Sequence, residues 1–186
     1  MTTIARIVQE CLFLAFLAIT HNMRMVIVLG GVSGSGKTTV GRALALHLGW
    51  DFHDADDLHD PANVERMRRG VPLDDHQRYP WLLRVRRVIE HAIDARTGAV
   101  VACSALKARY RTVLAEGLDE VRFVFLHGPG VVRARLEHRA GHFAGASLLE
   151  SQLQALELPA DALVLDASLN VDDLVRMIVR SIEGEK

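Results

Sequence analysis

The sequence predicts an α/β protein in which a parallel sheet is flanked by helices. From Met25 onward, short apolar runs of β type alternate with longer stretches of helical period, and parallel strands need such crossovers. Directly behind the first run stands GVSGSGKT (31–38), a glycine-rich turn between an apolar run and an amphipathic stretch. Five such runs are present, with no internal repeat, low-complexity tract or long linker.

MVIVLG (25–30) is apolar on both faces and ends in glycine, the signature of a buried strand. Residues 37–48 place Val40, Ala43, Leu44 and Leu48 at helical spacing before Gly49. WDFHD (50–54) reads as a second strand. PANVERMRRG (61–70) reads as a helix with proline in its first turn and glycine as its stop. Residues 80–98 give a longer helix, begun at Pro80 and stopped at Gly98. AVVACS (99–104), VRFVFLHG (121–128) and ALVLDA (162–167) complete the strands. Helices are expected over KARYRTVLAEG, over 129–139, over 147–159 up to Pro159, and over 171–183.

The chain has 186 residues, 49% apolar and 24% charged, with a net charge of −1. That suits one soluble domain and supplies no global field for nucleic acid or acidic membranes, so neither is an expected partner. Cys11 and Cys103 stand in no paired motif, which fits a reducing compartment and a cytoplasmic location. Residues 11–19 read CLFLAFLAI, too short to span a bilayer, which needs about 20 residues. The readings are a membrane-surface helix or, better, an extension outside the core. The single domain is therefore set at 25–186, with 1–24 as the extension.

GVSGSGKT fits G-x-x-x-x-G-K-[ST], the phosphate loop of nucleoside triphosphate sites. Its glycines let backbone N–H groups wrap phosphates, and the helix starting near Lys37 adds the positive end of its dipole. Lys37 can reach the β- and γ-phosphates, and Thr38 can hold Mg²⁺. The chain lacks N-K-x-D and a D-x-x-G after the third strand, which argues against a GTPase. A small phosphotransferase remains, and it needs an acceptor site opposite the γ-phosphate.

HDADDLHD (53–60) leaves the second strand at the carboxyl edge of a parallel sheet, the same edge as the phosphate loop. Of Asp54 and Asp56, one is read as supporting Mg²⁺ through water and the other as facing the acceptor. A zinc site on His53 and His59 matches no common spacing. The other alternative is a solvated acidic turn.

GVSGSGKTTVG (31–41), LGWDFHDADDLHDPANVERMRRGVPLDD (48–75), RYPWL (78–82), VVACSALKARYR (100–111) and RLEHRAGHF (135–143) resemble, in order, the gluconate kinase family of small P-loop kinases. The resemblance runs from about Met25 to the end. It implies a nucleoside-monophosphate-kinase-like, three-layer fold with a five-stranded parallel sheet and a helical lid over about 135–150. It implies ATP with Mg²⁺, and gluconate as the acceptor at its 6-hydroxyl. Gly31, Ser33, Gly34, Ser35, Gly36, Lys37, Thr38 and Thr39 then form the nucleotide set, with Thr38 and Asp54 on the metal. Lys37 and Asp56 are the catalytic pair. Asp56, His59, Arg78, Lys107, Arg111 and His142 are the acceptor candidates, and one of the three cations holds the carboxylate. Arg135 and Arg139 flank the lid, one for adenine and the other for the γ-phosphate. Trp81 and Tyr110 are read as packing residues.

The sequence departs from the family pattern at Gln77, where an acidic residue is common, and at AGASLL after GHF. Dimers are known in the family, so a homodimer is possible. The rival readings are a shikimate-kinase-like enzyme for another small metabolite, and a non-catalytic nucleotide-binding protein.

Overall fold

The computed structural model describes residues 25–137 and 143–184, and over 135–137 and 143–148 the backbone alone. The extension 1–24, Arg139, His142 and the Arg135 side chain lie outside that description.

Strand β1 (Val26–Gly30) is buried throughout and sits in the middle of a five-stranded sheet of order β2-β3-β1-β4-β5. Its neighbours are β3 (Ala99–Ala102) and β4 (Val121–His127), both parallel to it, with Val26 opposite Ala99 on one side and Val121 on the other. β2 (Asp51–Asp54) and β5 (Leu163–Asp166) pair in parallel at the two edges. A strand with partners on both sides and helices on both faces has no solvated face, which is why VIVLG shows no alternation.

Successive residues of β1 serve opposite layers. Val26 and Val28 pack with Trp81, Leu82, Val85 and Ile89 of α3 (Asp75–Asp94) and with Tyr110 and Leu114 of α4 (Ala108–Ala115). Ile27 and Leu29 pack with Val40, Leu44 and Leu48 of α1 (Lys37–Leu48) and with Leu174 and Ile178 of α7 (Val171–Glu183). α2 (Pro61–Arg68) follows β2. α5 (Pro129–Glu137) and α6 (Phe143–Ala155) follow β4. A third cluster of Val32, Leu106, Val132 and Leu149 lies beneath the phosphate loop and ties α5 and α6 to it.

Two helix boundaries differ from the sequence expectation. α3 begins at Asp75 rather than Pro80, because Asp74 and Gln77 form a reciprocal capping box. The Asp74 carboxylate accepts from the Gln77 amide at 2.8 Å and the Gln77 side chain accepts from the Asp74 N–H at 3.1 Å, so two orphan donors are satisfied there. Gln77, the departure from the family pattern, thus has a structural role that glutamine fills as well as glutamate. α6 runs over Phe143–Ala155 rather than 147–159, and the chain after it is pinned by the Glu157 N–H donating to the Leu106 carbonyl at 2.8 Å.

Candidate active site

The phosphate loop turns sharply out of β1. Gly31 has φ +129°, and a Cβ there would stand 2.5 Å from the Leu126 carbonyl oxygen, so only glycine fits. Gly36, the residue before α1, is left-handed and carries no side chain to cap the helix amides. The first turn of α1 therefore presents its N–H groups and dipole to the loop's hollow.

The hollow opens into a cleft of about 410 Å³ lined by Ser33, Gly34, Gly36, Lys37, Thr38 and Thr39 on the loop side. Facing them are Asp54, Asp56, His59, Arg78 and Trp81, with Ser104 and Gln152 completing the wall. The two halves meet directly: the Thr38 hydroxyl donates to Asp54 Oδ2 at 2.8 Å. The other oxygen of Asp54 accepts from the Asp56 N–H at 3.1 Å, which starts the 3₁₀ turn Ala55–Leu58. Asp54 is thus fixed from both sides, and Asp56 is set on the turn behind it. A hydroxyl and a carboxylate oxygen in contact beside a phosphate cradle are the donor set Mg²⁺ takes, with water and phosphate oxygens supplying the rest. Among the described residues no larger group of His, Cys, Asp and Glu could hold a metal ion.

Burial lowers the Lys37 pKa against the pull of Asp56, Cys103 and Asp54. Its ammonium donates to the Val32 carbonyl at 2.9 Å. Burial raises the Asp56 pKa, opposed chiefly by Lys37 and reinforced by Asp54. A carboxylate made more basic, yet kept near a cation, suits proton abstraction. Burial pushes the Cys103 thiol up to about 12, so it stays protonated beside these groups.

Trp81, at the floor of the cleft, donates from Nε1 to the Ala55 carbonyl at 2.6 Å and clamps the 3₁₀ turn. The His59 ring stacks on it with centroids 4.3 Å apart. Burial first, then Arg78 and Arg84, lower the His59 pKa to about 4, so the ring is neutral at pH 7. Its Nδ1 is buried and has no hydrogen-bond partner among the described residues. An unfolded histidine titrates near ~6.5. Between that pH and about 4 the unfolded chain holds the extra proton, so acidification favours unfolding. Melting temperature should therefore fall over that range, and His59→Gln should flatten the fall; an unchanged pH slope would remove the ring from this role.

Of the three candidate cations, Arg78 and Lys107 share a small cavity beside the cleft and Arg111 stands apart. Arg78 lines the cleft, with Nε held by the Leu73 carbonyl at 3.0 Å. Lys107 lies in an adjoining cavity of about 80 Å³ and pairs with Asp75 at 3.2 Å. Asp75 also accepts from Tyr110 and Arg109, and the Tyr110 hydroxyl above all holds its carboxyl below the usual range. Arg111 stands on a separate depression of about 880 Å³. There its Nη1 donates to the Ala105 and Leu106 carbonyls at 3.0 and 3.2 Å, over the Phe125 ring. Trp81 and Tyr110 pack in the core, and each also makes a polar contact. Ser35 is buried within the loop. Besides Trp81, four cleft residues are not among the sequence's site candidates: Met67, Leu73, Ser104, whose carbonyl accepts from the Gly31 N–H at 3.1 Å, and Gln152 on α6.

A phosphate loop on the central strand, this strand order and an acid-lined pocket facing the loop define a P-loop kinase of the nucleoside-monophosphate-kinase-like fold. The shikimate kinase family model matches residues 33–163. A probable gluconokinase of Xenopus tropicalis is 41% identical over 87% of this chain and 93% of its own length. Among solved structures, a sugar kinase from a Janibacter species superposes with a TM-score of 0.79 at 41% identity, covering 86% of this chain and 94% of that one. A gluconokinase from Sinorhizobium meliloti gives 0.72 at 41%, covering 83% and 89%. The chain belongs to the gluconokinase family of ATP- and Mg²⁺-dependent kinases. None of its described helices is long and apolar enough to cross a membrane.

Proposed function

We propose that the protein transfers the γ-phosphoryl group of ATP to the 6-hydroxyl of D-gluconate, giving 6-phosphogluconate and ADP. The observation that carries this is Asp56, a carboxylate with a raised pKa on the wall of the cleft that faces Lys37 and the phosphate loop. The acceptor hydroxyl attacks the γ-phosphorus in line; its oxygen–phosphorus bond forms as the bond to the β-phosphate oxygen breaks, and its proton passes to Asp56. Lys37 and the loop amides stabilise the charge that spreads over the transferring group. Thr38 and Asp54 would hold Mg²⁺, which neutralises phosphate charge when bound. His59 lines the same cleft wall as a neutral ring, and Arg78 is the cation placed to take the gluconate carboxylate. Arg78 lines the cleft itself, whereas Lys107 is paired with Asp75 and Arg111 stands on another depression, which favours Arg78.

A single kinase domain over 25–186, a lid over about 135–150 bearing Arg135, Arg139 and His142, a homodimer and a cytoplasmic location belong to the same reading. The lid and the homodimer rest on the family resemblance, the domain bounds on the sequence pattern, and the location on cysteine usage. ADP release measured against gluconate, other sugar acids, shikimate and nucleoside monophosphates tests the acceptor. Turnover with gluconate well above the others is expected; clear turnover only with shikimate or a nucleotide would overturn it.

A further inference from the structure

The phosphate loop's Ser33 N–H is already engaged in this structure. It donates to Gln152 Oε1 at 2.6 Å, a contact between residues 119 apart in sequence. An amide N–H requires an acceptor, so the carbonyl end of the Gln152 side chain faces the loop. Gln152 is not a loose surface group. Leu149, three residues earlier and hence on the same face of α6, is buried against Val32 of the loop, together with Leu106 and Val132. Glu150 pairs with Arg133 of α5 at 2.8 Å. One face of α6 is thereby seated on the loop, with Gln152 as its polar contact.

Loop amides are the groups that bind nucleotide phosphates. A charged phosphoryl oxygen is a stronger acceptor than a neutral side-chain carbonyl, about twofold in hydrogen-bond strength. We propose that Gln152 is a positioning residue for phosphoryl transfer: it holds the Ser33 amide in the free loop and yields it to a nucleotide phosphate, so that α6 responds to occupancy of the nucleotide site. The inference rests on the nucleotide half of the proposed function and not on the identity of the acceptor.

Three measurements test it. A non-hydrolysable ATP analogue is titrated by calorimetry into the wild type, Gln152→Glu and Gln152→Leu. Glutamate keeps the acceptor but adds charge, so it should weaken binding by about tenfold, while leucine, which removes the competitor, should bind as tightly as wild type or tighter. Thermal melts of each variant verify the fold. In hydrogen exchange, the analogue should change protection around 149–155 in the wild type and leave it unchanged in Gln152→Leu. Equal affinities in all three proteins, equal weakening in both variants, or a wild-type exchange response in Gln152→Leu would each overturn the proposal. Gln152→Leu decides even where the glutamate variant does not fold. Nucleotide binding needs no acceptor, so failure here and failure of the gluconate reading are told apart by the acceptor panel.

Discussion

Replacing Lys37 by alanine should lower kcat/KM by at least about a thousandfold, or ~4 kcal/mol, the loss expected when one preorganised charge donor is removed from a transferring group. The physical reason lies in where the ammonium sits. It is half-buried at the junction of the loop and the acid pocket, close enough to Asp56 and Asp54 for each to act on its titration. In that environment its charge is poorly screened by water, so it acts strongly on the phosphoryl group. Lys37→Arg should not rescue, because the larger planar guanidinium does not match a point charge hydrogen-bonded to the Val32 carbonyl. Steady-state kinetics with a melt to verify folding checks this; residual activity within about tenfold of wild type would remove Lys37 from the transfer step.

Asp56→Asn should lower kcat by about a hundredfold to ten-thousandfold, the range attributed to general base catalysis. The KM for ATP should change far less, since asparagine keeps the shape of the wall and removes only the proton acceptor. Burial raises the Asp56 pKa. In the wild type, kcat/KM should therefore fall on the acid side with a midpoint above the ordinary carboxylate range, as the base becomes protonated. That limb should vanish in the asparagine variant. An unchanged kcat, or an acid limb that persists, would assign the proton to another group.

Asp54 separates from Asp56 in the structure in a way that bears on both variants. Its two oxygens are taken by the Thr38 hydroxyl and the Asp56 N–H. It therefore belongs to the loop's half of the site, while Asp56, one step further along the 3₁₀ turn, belongs to the acceptor's half. The Trp81 indole, through its bond to the Ala55 carbonyl, holds the turn that keeps them apart.

The parts of the protein legible in the sequence are those whose physics is local. The glycines of GVSGSGKT set a turn with positive φ at Gly31, Gly34 and Gly36, and the helix behind it supplies the dipole, all within one short segment. The strand and helix order follows from apolar period, and with it the parallel class and the edge on which HDADDLHD emerges. The α3 boundary differs from the sequence expectation because Pro80 is a strong start signal, whereas the Asp74–Gln77 capping box that wins is two ordinary polar residues. Arg78, Lys107 and Arg111 are equivalent as sequence, all cations near motif segments. Folding tells them apart, because Lys107 is paired with Asp75, Arg111 is carried to another depression, and Arg78 comes to line the cleft. Gln152 had no signal at all, since its role arises only when α6 folds back across 119 residues onto the Ser33 amide. The phosphate cradle is written in adjacent residues; the choice of cation and the hold on the loop come from competition among groups that only packing brings together.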